Sequence, residues 1–105
     1  MTKLRILLEV FQDATDASNW YDLKESGLGD HFLNCLRSTY QPIVANPFVY
    51  RTVYKNYRRV FLPSFPYAVY FRLQGETIII ALVIHTARNP AIMRRILRSR
   101  ENRVN

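Results

Sequence analysis

Between residues 55 and 98 the chain carries side chains that could handle phosphate. Lys55, Arg58 and Arg59 come first, Arg72 follows, His85 and Arg88 stand close together, and Arg94, Arg95 and Arg98 complete the series. Guanidinium and ammonium groups bind polyanions, and an imidazole can move a proton near neutral pH. Cleaving RNA without a metal needs such groups assembled. A base must activate the 2′-hydroxyl, cations must stabilise the phosphorane, and an acid must protonate the leaving oxygen. The same cations without a base would only bind nucleic acid or an acidic protein.

Each candidate also has a plainer role. Arg58 and Arg59 are adjacent in a segment that alternates like a strand, so they point to opposite faces and at most one meets a given ligand. His85 closes an apolar strand, where a hydrogen-bonded structural histidine is the ordinary outcome. Arg88 precedes Asn89-Pro90 and could cap that junction or pair with a carboxylate of the first helix. Arg94, Arg95, Arg98, Arg100 and Arg103 sit where a helix C-terminus favours cations. Tyr50, Tyr54, Tyr57, Tyr67 and Tyr70 interleave with the basic residues and could stack on bases, yet tyrosines are also common sheet formers.

Charge is divided unevenly along the 105 residues. The net charge is +7, but residues 1–50 carry four Lys/Arg against six acids, and residues 51–105 carry eleven against two. The basic half therefore makes the field that would attract a polyanion. The lone Cys35 forms no internal disulfide and reads as a small buried apolar residue. His31 reads as solvated. No Cys/His cluster suits a metal, and Gly27-Leu28-Gly29 is too short for a dinucleotide loop. No cofactor is expected. The longest apolar run, Ile78 to Ile84, is too short to span a bilayer, and no targeting segment is evident, so the expectation is a soluble cytoplasmic protein.

The elements that must position these residues follow from periodicity. Leu4 to Phe11 reads as a strand, with Asp13 as the N-cap of a helix that ends near Ser26-Gly27. Leu28, Phe32, Leu36 and Tyr40 recur every four residues and give a second helix, kinked or ended early by Pro42. Arg51 to Lys55, Arg58 to Ser64 and Tyr67 to Leu73 read as strands, and Gln74-Gly75-Glu76 as a tight turn. Thr77 to His85 is apolar enough to be covered on both faces. Asn89-Pro90 opens a last helix to about Arg98. The order β-α-α-β-β-β-α implies an α+β fold, a helical hairpin on a twisted, mostly antiparallel sheet. Residues 1–98 are expected to form one domain and residues 99–105 a basic, flexible tail.

Several segments resemble the RelE/ParE superfamily of bacterial toxins. Ala14-Thr-Asp-Ala-Ser-Asn-Trp-Tyr21 and Gly27-Leu-Gly-Asp-His-Phe-Leu33 are similar to its first helix and helix junction, and Asn46-Pro47 to the break after the hairpin. Arg58-Arg59-Val-Phe61 and Phe65-Pro-Tyr-Ala-Val-Tyr70 look like its central strands. Ile78-Ile-Ile-Ala-Leu-Val-Ile-His85 with Arg88-Asn-Pro90 looks like its last strand and exit. The resemblance runs from about Leu4 to Arg95.

It implies the toxin of a type II toxin–antitoxin pair, a growth inhibitor that stabilises plasmids or genomes. Its partner would be a cognate antitoxin whose flexible segment wraps it in a hetero-oligomer. RelE-like members cut mRNA in the ribosomal A site, and ParE-like members poison DNA gyrase without nuclease chemistry. The family's catalytic arginine has no counterpart at Phe65-Pro66-Tyr67, nor has its late tyrosine after His85, and no carboxylate lies between Asp30 and Glu76. The expectation is therefore a ParE-like gyrase inhibitor. Its target-binding residues would be Arg58, Arg59, Arg72, Arg88, Arg94, Arg95 and Arg98. The alternatives are a RelE-like ribosome-dependent endonuclease using Lys55, Arg58 or Arg59, and His85, and a non-toxic binding module.

Overall fold

The apolar run Thr77 to His85 becomes the centre of the molecule. It forms strand β5 (Thr77–His85), and every residue from Ile78 to Ile84 is buried. A computed structural model describes residues 2–101. Within it the order is β1 (Lys3–Ile6), α1 (Leu8–Lys24), α2 (Leu28–Ala45), a 3-10 turn (Pro47–Val49), β2 (Thr52–Tyr54), β3 (Tyr57–Phe61), β4 (Tyr67–Gln74), β5 and α3 (Pro90–Glu101). The sheet runs β1-β5-β4-β3-β2, with β1 parallel to β5 and the other pairs antiparallel. The α+β fold and its order are as expected, and the short strand read over Arg51 to Lys55 forms β2 at the sheet edge.

The two faces of the sheet are covered by different helices. Tyr67 on β4 packs edge-on against Phe32 at 5.0 Å and lies near Tyr21, so the α1–α2 hairpin covers that face. Tyr70, three residues on, points the other way and lines a pocket with Met93 of α3. Burial of Met93 and Leu97 anchors α3 there.

Several element boundaries differ from the sequence reading, and β3 ends at Phe61, short of the expected Ser64. The first strand ends at Ile6, not Phe11, and α1 begins at Leu8. Leu7, Val10, Ala14, Ala17 and Tyr21 form a buried stripe at alternating three- and four-residue spacing, and this helical burial prevails over strand alternation. Asp13 is therefore inside α1 and not its N-cap. α2 continues through Pro42 to Ala45. Pro42 lies one turn from the end, so it removes only one helical bond, and the Asn46 N–H still donates to the Pro42 carbonyl. α3 reaches Glu101, past the expected end at Arg98; residues 102–105 of the expected tail lie outside the described residues.

The hairpin junction depends on two glycines for different reasons. Gly27 has φ +91°, a conformation that L side chains rarely adopt. Gly29 lies where a methyl group would collide with the carbonyl and hydroxyl oxygens of Ser18. Its N–H donates to the Asp22 carboxylate at 2.7 Å, which locks α2 onto α1.

Candidate functional site

Strand β3 sends its two arginines to opposite sides, as alternation requires. On the hairpin side, Arg58 donates to the Tyr50 carbonyl at 2.6 Å and covers the Phe48 ring at 5.4 Å. On the α3 side, Arg59 lies 4.7 Å from the Phe61 ring centroid. Phe61 itself is 56% exposed. Arg58 thus has a structural contact, and Arg59 is the arginine of this strand that remains available for a ligand.

The other candidates divide in the same way. Lys55 sits in the β2–β3 turn at φ 48° and pairs with Glu101 at 3.8 Å. Arg72 is buried at 9% exposure, and its Nε has no hydrogen-bond partner. It adjoins Tyr57, whose hydroxyl pKa is raised by burial and by Glu101, with Arg72 opposing the rise. Arg98 donates to the Tyr54 hydroxyl at 3.3 Å. Arg94 and Arg95 are exposed on α3.

His85 and Arg88 come near Arg59 at the end of the sheet, but the His85 ring packs edge-on against Tyr67 at 5.2 Å, on the hairpin face opposite Arg59. A pocket of about 90 Å³ is lined by Arg59, Tyr70, Ile84, His85, Thr86, Arg88, Pro90 and Met93. The Ala87 N–H donates to His85 Nδ1 at 3.0 Å, so the neutral ring carries its proton on Nε2. No carboxylate lines the pocket. Cations and an imidazole are present, but no carboxylate base is. Of the expected catalytic candidates, Arg59 and His85 both line this pocket but send their side chains to opposite faces of the sheet, and Lys55 and Arg58 are held in other contacts.

A larger groove of about 390 Å³ lies beside this pocket, along the end of β5. Asp13, Asp16 and Trp20 of α1 form one wall and Ile96 of α3 contributes to the other, with His85 and Arg88 at one end. It exists because β1 pairs only with residues 77–80 of β5, leaving the following residues without a neighbouring strand on that side. Two side chains close part of that edge. Asp13 accepts the Val83 N–H at 3.1 Å, and Arg100 donates to the Ala81 carbonyl at 2.9 Å. The two are joined by hydrogen bonds of 2.7 and 2.9 Å. Arg88 does not make the expected ion pair with α1; Arg100 makes it.

The remaining sequence candidates are structural. Cys35 is half-buried and donates to the Pro63 carbonyl at 2.7 Å, and burial pushes its thiol pKa up. His31 is exposed and meets Phe65 edge-on at 5.3 Å. Among the described residues no cluster of three His, Cys, Asp or Glu could hold a metal ion, and no helix is long and apolar enough to cross a membrane.

Comparison with known proteins bears on the whole arrangement. Residues 4–90 match the family described as ParE toxin of type II toxin-antitoxin system, parDE. The fold is similar to a solved chain of the chromosomal ParDE TA system from P. aeruginosa, with a TM-score of 0.74 at 19% identity. That likeness covers 81% of this chain and 96% of the other. No curated protein matches. With its sheet, hairpin and last helix in this order and the family match spanning most of its length, the chain belongs to the ParE toxin family of type II toxin–antitoxin systems.

Proposed function

We propose that this toxin poisons DNA gyrase by binding, without nuclease chemistry of its own, and is neutralised by a cognate antitoxin in a hetero-oligomer. The observation that carries this is the occupation of its catalytic candidates. Lys55 is paired with Glu101, Arg58 is spent on the Tyr50 carbonyl, and His85 Nδ1 accepts a backbone N–H. The pocket that remains has no carboxylate to activate a 2′-hydroxyl. A gyrase target and an antitoxin partner would both put its action in the cytoplasm. The antitoxin's docking place is the groove between α1 and α3, which presents Trp20, Ile96 and unpaired sheet edge to an incoming segment.

Pulse labelling after induced expression in a bacterium tests the target. A fall in thymidine incorporation with filamentous cells supports gyrase. A prompt fall in methionine incorporation instead supports the second reading, RelE-like mRNA cleavage, which rests on Arg59, His85 and Arg88 lining one pocket. No change in either would remove both and leave a binding module without toxicity. A short acidic reading frame adjacent to the gene would supply the antitoxin.

A further inference from the structure

We propose that the solvent-facing stripe of α3, through Arg94, Arg95 and Arg98, is a docking surface for the phosphate backbone of duplex DNA. This deepens the gyrase reading, because it gives the toxin a contact of its own with the substrate of that enzyme. It rests on that reading only for the choice of DNA over RNA as the duplex.

α3 sorts its side chains by face. Met93 and Leu97 are buried against the sheet, and Ala91, Arg94, Arg95, Arg98 and Ser99 form one exposed stripe on the other side. Neither Arg94 nor Arg95 makes a hydrogen bond or ion pair among the described residues. Arg98 donates one bond, at 3.3 Å, to the uncharged Tyr54 hydroxyl, and its charge has no acidic partner. Two carboxylates near the end of the helix are already taken, Asp13 by Arg100 and Glu101 by Lys55.

The stability of the helix does not call for these arginines. The helix dipole favours cations in the last turn, and Arg94 and Arg95 precede it. Arg94 and Arg98 are like charges four residues apart, a pairing that weakens a helix. A stripe that costs the helix stability and gains no acidic partner within the chain points to an anion outside it.

The composition of the stripe selects that anion. No large apolar side chain is exposed on α3, whereas Leu8, Phe11, Trp20 and Leu23 stand exposed on α1. A protein interface needs such anchors, a bilayer needs apolar groups to insert, and an unpaired base needs a ring to stack on. A duplex backbone needs none of these and offers a dense row of charges. Arg94 and Arg98 stand about 6 Å apart along the helix axis. That is close to two phosphate steps of one DNA strand, about 6.8 Å along the duplex axis.

The test is fluorescence anisotropy with the full chain and a fluorescein-labelled DNA duplex of roughly 20 base pairs, between about 50 and 200 mM salt. Arg94→Ala, Arg95→Ala and Arg98→Ala should each weaken binding about five- to tenfold and lower the salt slope by about one. Arg94→Lys keeps the charge, so the slope should stay. Arg37→Ala, on the exposed face of α2, should change affinity by less than about twofold. Duplexes rich in A·T and in G·C should bind alike, because phosphates carry no sequence. Thermal melts establish that the variants are folded. Tighter binding of duplex RNA or of a single strand, equal weakening by Arg37→Ala, equal competition by polyglutamate, or an unchanged slope in the triple alanine variant would overturn the proposal. The assay contains no gyrase, so its failure and the failure of the gyrase reading are separately visible.

Discussion

Arg100, in the last turn of α3, forms a two-pronged hydrogen-bonded ion pair with Asp13 of α1, 87 positions earlier. The two helices lie on opposite faces of the sheet, so the pair clasps the sheet around its edge. Each side chain also bonds the β5 backbone, one at the Val83 N–H and one at the Ala81 carbonyl. Side chains thus replace part of the strand that β1 is too short to provide, and an edge that would otherwise invite pairing with another chain is partly closed.

Breaking that clasp should cost stability. Both side chains are 14% exposed, so removing either leaves a largely desolvated charge and an unpaired backbone group. Asp13→Ala should destabilise by about 3 kcal/mol. Urea denaturation measures this. A loss below about 0.5 kcal/mol, the range of ordinary surface substitutions, would contradict it.

The two arginines of β3 should behave differently. Arg58→Ala should lower stability by about 1.5 kcal/mol, because the Tyr50 carbonyl loses a charged donor. Arg59→Ala should leave the unfolding midpoint nearly unchanged, since its guanidinium lies over an exposed ring and makes no hydrogen bond or ion pair among the described residues. Equal losses in the two variants would mean that Arg59 is structural too.

Gly29→Ala should disturb the hairpin without touching the pocket. The added methyl meets the Ser18 carbonyl, which is backbone and cannot rotate away. A loss of about 1–3 kcal/mol in urea denaturation is expected. A neutral outcome would show that the two helices separate easily.

Alkaline pH should unfold the protein through its tyrosines. Tyr40 is pushed up to about 12, first by burial and second by the Asp13 carboxylate, and burial also raises Tyr21, Tyr57 and Tyr67. The folded state favours the neutral phenols, so between pH 10 and 12 the unfolded chain releases more protons and stability falls as pH rises. For Tyr40, two pH units correspond to at most about 2.7 kcal/mol, reduced by its partial exposure. Urea midpoints from pH 8 to 12 should be flat at first and then decline. Tyr40→Phe should soften the decline, and an unchanged slope would contradict the assignment.

How much of this was legible from the sequence depended on distance along the chain. The central place of β5 followed from a nine-residue run without a charge. The placing of Arg58 and Arg59 on opposite faces followed from strand alternation. The start of α1 did not, because Leu4 to Phe11 fits either period and only the packing of Leu7 and Val10 decides it. The Asp13–Arg100 pair was invisible for a different reason. Asp13 looked like a cap and Arg100 like part of a solvated tail, and nothing local links residues so far apart. That Arg59 and Arg88 border one pocket likewise required the β3–β4–β5 register, which places Arg59 opposite Tyr70 and Tyr70 opposite Leu82.

The central claim is toxicity by binding gyrase, and the most direct measurement is DNA supercoiling by purified gyrase with and without the purified chain. The expected result is inhibition by the chain at stoichiometric to micromolar concentration, relieved by the antitoxin, with no mRNA cleavage on programmed ribosomes. Unimpaired supercoiling at micromolar excess, together with A-site cleavage that Arg59→Ala or His85→Ala abolishes, would contradict it.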